Sequence, residues 1–242
     1  TGSEMSSADL VSDLLQTNSN YFSELEEIAA QEAKFIDMKL GNRFKSMIAY
    51  LKDKFSIEVD LAEEGFIENF SKRFYKEKKL LKISNTLSRE SKEFMVAQQI
   101  GLLVAEDAIE KQLKFKSGLD NNGLALGRTV LANYFASALL MPYDLFWSTA
   151  EKCRYDIDVL CNRFDTSFEQ VCHRFTTLQK ESKKGIPFHF MRVDIAGNVS
   201  KRFSISGLKI PRYSVAYPRW NVYTAFLNPG KIKIQLSKML DG

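Results

Sequence analysis

Arg89–Glu110, RESKEFMVAQQIGLLVAEDAIE, is the stretch around which the rest of the chain is organised. Its apolar residues recur at helical spacing, and no proline interrupts them. Helix-forming Ala, Gln, Glu and Leu dominate its composition. The stretch therefore predicts one helix, and its buried face is formed by Phe94, Ala97, Ile100, Gly101, Val104 and Ala108.

Three positions of this helix have the spacing of a zinc peptidase site without its chemistry. Gln98, Gln99 and Leu102 stand at i, i+1 and i+4, where the H-E-x-x-H signature places a histidine ligand, a glutamate base and a second histidine. A glutamine amide has little affinity for zinc, Gln99 has no carboxylate to accept a proton, and leucine has no donor atom. A plainer interpretation, two hydrogen-bonded amides on a buried helix, stays open.

A second predicted helix lies within Leu126–Pro142, LGRTVLANYFASALLMP, and is ended by its proline. Together, EFMVAQQIGL and TVLANYFASALLMP resemble the ImmA/IrrE metallopeptidase family. The resemblance implies an α+β fold with a mainly helical, zincin-like core and a small sheet. The acidic third ligand of that family falls in the neighbourhood of Thr129, Val130 and Leu131, where this chain has no acid. The resemblance therefore argues for the fold and against peptidase activity.

The composition indicates which broad class of protein this chain belongs to. The 242 residues are 45% apolar, 26% charged and 12% aromatic, which is typical of a globular chain with a sizeable core. No apolar run approaches the ~20 residues of a membrane span, and no secretory signal is visible, so we expect a cytoplasmic protein with no membrane partner. Cys153, Cys161 and Cys172 lack metal-binding spacing, and His173 and His189 are too few for a histidine-based site. We expect no metal and no cofactor.

The chain divides into three predicted regions. Residues 1–50 form a helical lead, which could pack on the following domain or pair with a second copy. Residues 51–180 form the ImmA/IrrE-like domain. Residues 181–242 form a basic β-rich segment of a C-terminal ligand-sensing domain, which we expect to be truncated. The ImmA/IrrE-like domain begins with three predicted strands, Ser56–Asp60, Phe66–Phe74 and Leu80–Ser84.

The pattern after the first organising helix is a loop followed by helices. Phe115–Gly127 is rich in Gly and Asn and predicts a loop. Two helical runs follow Pro142, Tyr143–Arg154 and Ile157–Gln179. The second run divides at a turn, Phe164–Thr166, and so has the spacing of a helix-turn-helix unit. This unit could read DNA, with His173 and Arg174 as the plausible contacts, or could pack into the domain. Its second helix favours packing through the apolar positions Phe168, Val171, Cys172, Phe175 and Leu178.

The C-terminal part alternates in the manner of a mostly antiparallel β segment. Its predicted strands are Ile186–Asp194, Val199–Ile205, Trp220–Phe226 and Lys231–Leu236. The run RVDIAGNVSKR, followed by YPRWNVYTAF, resembles the C-terminal region of the short-chain fatty acyl transcriptional regulators, the RamB-like family. That resemblance implies a bacterial regulator that reads operator DNA through an N-terminal helix-turn-helix domain absent from this fragment.

Positive charge is concentrated in the same segment. From Ser182 onward there are eleven Lys or Arg and two acids, a net +9, whereas the preceding residues carry a net −5. Cations suit phosphates and aromatic faces suit an adenine ring, so an acyl-coenzyme A would fit. An ordinary sheet with a basic outer face, or contact with a nucleic-acid backbone, are the alternatives. The candidate ligand residues are Arg192, Lys201, Arg202, Arg212, Arg219, Tyr217 and Trp220 for the nucleotide part, and Leu102 and Leu131 for the acyl chain.

Three classes of function follow from these observations. The favoured one is a non-enzymatic sensor of short-chain acyl-coenzyme A in a transcription factor of fatty-acid, propionate or acetate metabolism. An active zinc peptidase is disfavoured because its ligands are missing. A structural or oligomerising module with no small ligand is the third. A regulator that reads paired half-sites needs two-fold symmetry, so we also expect a homodimer.

Overall fold

The computed structural model describes residues 6–62, 71–114, 118–196, 199–204, 222–232 and 234. The chain forms two compact units, Thr1–Ile186 and Pro187–Gly242. The helices of the first unit are α1 Ser7–Thr17, α2 Ser23–Glu32, α3 Arg43–Phe55, α4 Arg89–Val104, α5 Glu106–Lys114, α6 Asn121–Leu140, α7 Tyr143–Lys152, α8 Ile157–Phe164 and α9 Phe168–Phe175. Its strands are β1 Glu58–Ala62, β2 Lys72–Tyr75 and β3 Leu80–Ser84, and short 3-10 turns lie at Ala33–Phe35 and Glu181–Lys183.

The packing of α4 against α6 forms the centre of the first unit. Gly101 of α4 allows a close approach, because a Cβ atom at this position would lie 2.6 Å from Cδ1 of Phe135 on α6. Phe135 is fully buried. By length and composition α6 could cross a membrane, but 61% of its apolar window is buried inside the fold, as expected of a core helix.

The predicted helical lead packs onto this core. The Phe22 amide donates to the Tyr134 hydroxyl on α6 at 3.2 Å, and the two rings meet edge to face at 5.1 Å. At the other end of α6, the Ser7 hydroxyl donates to the Asp120 carboxylate at 2.6 Å. Of the two roles considered for the lead, the structure therefore shows packing on the domain.

The small sheet has the strand order β1-β3-β2. β1 runs parallel to β3 and β2 runs antiparallel to it. The predicted strand Leu80–Ser84 is confirmed, and the predicted strand Ser56–Asp60 begins later, at Glu58. Most of Phe66–Phe74 lies outside the described residues, and its described end belongs to β2. The sheet thus places β2 beside the central strand, where Lys72 opposes Ile83.

Two helix boundaries were predicted wrongly. Arg89–Glu110 is two helices, because the backbone of Ala105 leaves the helical conformation (φ −112°, ψ 18°) and a new helix begins with Glu106 and Asp107, acids that favour a helix N-terminus. The predicted loop Phe115–Gly127 already contains the first two turns of α6. Asp120 caps that helix by accepting a hydrogen bond from the Gly123 amide at 2.7 Å.

The helix-turn-helix segment packs into the domain. Ser167 and Gln170 form a reciprocal capping box at the start of α9. Arg174, a candidate DNA contact, is fully buried, and so is most of the apolar face. Phe168 is the exception, because it begins α9 and is 46% exposed.

In the second unit, β4 His189–Val193 and β5 Val199–Ser204 form an antiparallel pair, as predicted. The predicted strand Trp220–Phe226 is wrong where it is described, because Val222–Ala225 form a helical turn, α10. Lys231, Ile232 and Ile234 are not in a strand either. Short apolar runs do not distinguish strand from helix by periodicity, and here the local turn prevails.

Candidate functional site

The degenerate peptidase positions lie where α4 faces α6. The Gln98 side-chain amide donates to Oδ1 of Asn133 at 2.6 Å, which joins the two helices through a pair of neutral amides. Gln98 and Gln99 are 7% and 2% exposed. The position of a zinc ligand is thus taken by a hydrogen bond between helices, and the plainer interpretation of hydrogen-bonded, buried amides holds for Gln98.

Gln99, at the position of the catalytic base, accepts a hydrogen bond from a lysine. Lys72 of β2 places its Nζ 3.3 Å from Oε1 of Gln99. Burial lowers the pKa of the Lys72 ammonium to about 8. Sequence reasoning missed this residue, because a lysine in a short strand normally faces solvent. Its only sequence signal was its place in a strand that precedes the degenerate helix.

The two leucines predicted to meet an acyl chain have different surroundings. Leu102 is partly buried and packs against the hydrophobic core. Leu131 is fully buried within that core, so a ligand could reach it only if the packing of α6 changed. Their role in binding stays a prediction, with Leu102 the more accessible of the two.

The predicted phosphate contacts lie in the second unit. Arg192 is exposed on β4, and the strand register pairs it with Lys201, while Met191 pairs with Arg202. Arg212, Tyr217, Arg219 and Trp220 lie outside the described residues. Their role in ligand binding also stays a prediction.

The side chains of the described residues are unsuited to a metal. Among them, no three His, Cys, Asp or Glu side chains come together in a way that could hold an ion. The three cysteines are free thiols, and burial raises the pKa of Cys172 to about 12, so this thiol stays protonated at neutral pH.

We expect the purified protein to contain no stoichiometric zinc and to cleave no peptide. The physical reason is that Gln98, Gln99 and Leu102 supply neither a zinc ligand nor a base of useful strength. Elemental analysis and a fluorogenic peptide assay check both statements. One zinc per chain, lost on the substitution Gln98→Ala, would contradict the prediction.

Comparison with known proteins gives two matches along the chain. Residues 59–176 match the IrrE N-terminal-like domain. Residues 177–242 match the C-terminal region of the short-chain fatty acyl coenzyme A regulators. The IrrE-like match confirms the zincin-like α+β fold inferred from the two organising helices.

Individual relatives are transcriptional regulators. The chain is 34% identical over 96% of its length to the HTH-type transcriptional regulator PrpR of Mycobacterium tuberculosis, of which it covers 48%. It is 41% identical over 67% of its length to the HTH-type transcriptional regulator RamB of the same species, and 38% identical over 67% to a propionyl-CoA carboxylase regulator of Cereibacter sphaeroides. It covers 34% and 35% of those two proteins, so it spans half or less of each relative.

A solved structure agrees with these matches. A Mycobacterium tuberculosis transcriptional regulator superposes with a TM-score of 0.92 at 34% identity, over 98% of this chain and 72% of that one. The predicted resemblance is confirmed at the level of sequence and of fold. The chain therefore belongs to the family of short-chain fatty acyl coenzyme A regulators, with an IrrE-like domain ahead of that family's C-terminal region.

Proposed function

We propose that this chain is the ligand-sensing part of a bacterial, cytoplasmic transcription factor, and that it binds a short-chain acyl-coenzyme A to control genes of fatty-acid, propionate or acetate metabolism. One observation carries the proposal. The α4–α6 site keeps the peptidase framework but has neutral amides at Gln98 and Gln99, and it precedes a region that matches acyl coenzyme A regulators. A scaffold that has lost its catalytic groups can still bind a ligand.

The chemistry of such a ligand suits the residues predicted from the sequence. Phosphates are bound by arginine and lysine, the adenine ring by aromatic faces, and the acyl chain by apolar side chains. We assign these roles to the following residues: Arg192, Lys201, Arg202, Arg212 and Arg219 to phosphates, Tyr217 and Trp220 to adenine, and Leu102 and Leu131 to the acyl chain.

Calorimetric titration of this chain with acetyl-, propionyl- and butyryl-coenzyme A tests the proposal. We expect the thioesters to bind, free coenzyme A to bind more weakly, and the free acids to bind far more weakly because they lack the nucleotide. Arg192→Ala should weaken thioester binding by roughly 1–3 kcal/mol, the scale of a hydrogen bond to a charged group. Lys52→Ala, which removes an exposed lysine that pairs with Glu58, is the control.

The outcomes of this titration separate the two candidate functions. No heat with any thioester, from a protein with a cooperative unfolding transition, would contradict ligand sensing and favour a structural or oligomerising module. Equal affinity for free coenzyme A and the thioesters would contradict the acyl contacts while leaving the phosphate contacts in place.

We further propose that the full regulator acts as a homodimer on operator DNA. The relatives PrpR and RamB are HTH-type regulators, and paired half-sites require two-fold symmetry. This chain should therefore self-associate, and light scattering at tens of micromolar, an order-of-magnitude choice for weak association, should give twice the chain mass. A monomeric mass at every concentration would count against association through this region.

A further inference from the structure

Lys72 is a partly buried cation whose described hydrogen-bond partner is neutral. Its described hydrogen-bond partner is the side-chain carbonyl oxygen of Gln99, at 3.3 Å. Within the ranges that the structure describes, no carboxylate pairs with this ammonium. Partial removal of a charge from water is costly unless the charge is paired, so Lys72 has an unmet demand for acceptors in the ligand-free chain.

The position of Lys72 connects it to the degenerate site. β2 carries it beside β3, opposite the fully buried Ile83, and its side chain reaches the residue that takes the place of the peptidase base. The side-chain amide of Gln98, the residue next to Gln99, is already hydrogen-bonded to Asn133. An ammonium has three N–H donors, and the described part of the chain engages one of them. Lys72 therefore retains donors for a ligand oxygen.

The charged side chains on the neighbouring elements are engaged elsewhere. Lys82 of β3 pairs with Asp60 of β1 at 3.3 Å. Arg73, the next residue of β2, lies over the ring of Tyr75. Glu93, a fully buried acid of α4, is bonded to arginines from α3 and α4, Arg43 and Arg89. Burial alone accounts for the lowered pKa of Lys72, about 8, and the side chain is mostly an ammonium at pH 7.

We propose that Lys72 is the residue that recognises the acyl end of the ligand, donating a hydrogen bond from its ammonium to the thioester carbonyl oxygen of the bound acyl-coenzyme A. This inference rests on the proposed function, because it assumes that an acyl-coenzyme A binds. The thioester carbonyl oxygen gives this partly buried cation a second acceptor beside the side-chain oxygen of Gln99. Free coenzyme A has no such oxygen, so Lys72 distinguishes the acylated from the free cofactor.

Lys72→Met tests the contact, with calorimetric titration of propionyl-coenzyme A and free coenzyme A. Methionine keeps most of the side-chain volume and removes the charge. We expect propionyl-coenzyme A to bind about 10- to 100-fold more weakly, the loss of one charge-assisted hydrogen bond, with no change for free coenzyme A. Lys72→Arg should recover part of the difference. Lys52→Met, at the exposed pair with Glu58, is the matched control and should bind both ligands as the native chain does.

Two further readouts separate this role from a structural one. The thermal midpoint of ligand-free Lys72→Met should equal or exceed that of the native chain, because a partly buried, unpaired charge is removed. In the native chain, the preference for propionyl-coenzyme A over free coenzyme A should be present below pH 8 and fall as the pH rises through about 8, since the neutral amine donates a weaker hydrogen bond to the carbonyl than the ammonium does. Comparing the two ligands cancels the titration of their phosphates, and Lys72→Met should show no such fall.

The possible failures are distinguishable. If the native chain binds no thioester, the proposed function is wrong and this inference falls with it. If the native chain binds propionyl-coenzyme A and Lys72→Met binds it equally well, only the role of Lys72 is wrong. Equal weakening of propionyl-coenzyme A and free coenzyme A would also overturn it, because that result would place Lys72 on the nucleotide part.

Discussion

Replacing Glu26 with glutamine is expected to lower the free energy of unfolding by about 3–5 kcal/mol, the usual cost of breaking a buried ion pair from one side. Arg174 is fully buried and donates to both carboxylate oxygens of Glu26, at 2.6 and 2.9 Å. The Tyr134 hydroxyl donates to the same carboxylate at 2.7 Å. A glutamine would place an NH2 group against these donors, and a guanidinium cannot relieve its charge by losing a proton.

Urea unfolding measures this cost, and the same helix provides the control. Glu24 of α2 forms an exposed pair with Lys111 at 2.9 Å, so Glu24→Gln should change stability by no more than about 1 kcal/mol. The double substitution Glu26→Leu with Arg174→Met should recover much of the loss, because it removes both charges together. Equal effects of Glu26→Gln and Glu24→Gln would show that the buried pair does not hold the helical lead on the domain.

The sequence predicted the two organising helices well because their apolar spacing is local information. α4 begins at Arg89 as expected, and α6 covers most of the second stretch. The boundaries failed where two signals compete. At Ala105 the apolar pattern continues although the backbone leaves the helical conformation. At Asp120 a helix cap outweighs the Gly- and Asn-rich composition that predicted a loop.

The site was only partly predictable, since its contacts join residues far apart in the chain. Spacing alone identified Gln98 and Gln99, but it could not show that Gln98 pairs with Asn133 or that Lys72 reaches Gln99. Charged residues are also read as solvated unless a partner is known. For that reason Arg174, considered as a DNA contact, proved to be a buried structural residue.

Replacing Phe135 with alanine is expected to lower the free energy of unfolding by about 3–5 kcal/mol, the range for truncating a buried aromatic side chain. Phe135 is fully buried where α6 meets α4. Phe35→Ala is the matched control, because that ring is 73% exposed and its loss should cost no more than about 0.5 kcal/mol.

The effect of Gly101→Ala on stability should change sign between the native chain and the Phe135→Ala variant. In the native chain, Gly101→Ala places a Cβ 2.6 Å from Cδ1 of Phe135 and 2.9 Å from its Cγ, so we expect a cost of about 1–3 kcal/mol from overpacking. In Phe135→Ala the ring is absent, and the same methyl group would fill part of the cavity and favour the helix by up to about 1 kcal/mol. Urea unfolding of the four proteins gives the coupling energy directly. An equal cost of Gly101→Ala in both backgrounds would mean that Phe135 does not set the distance between the two helices.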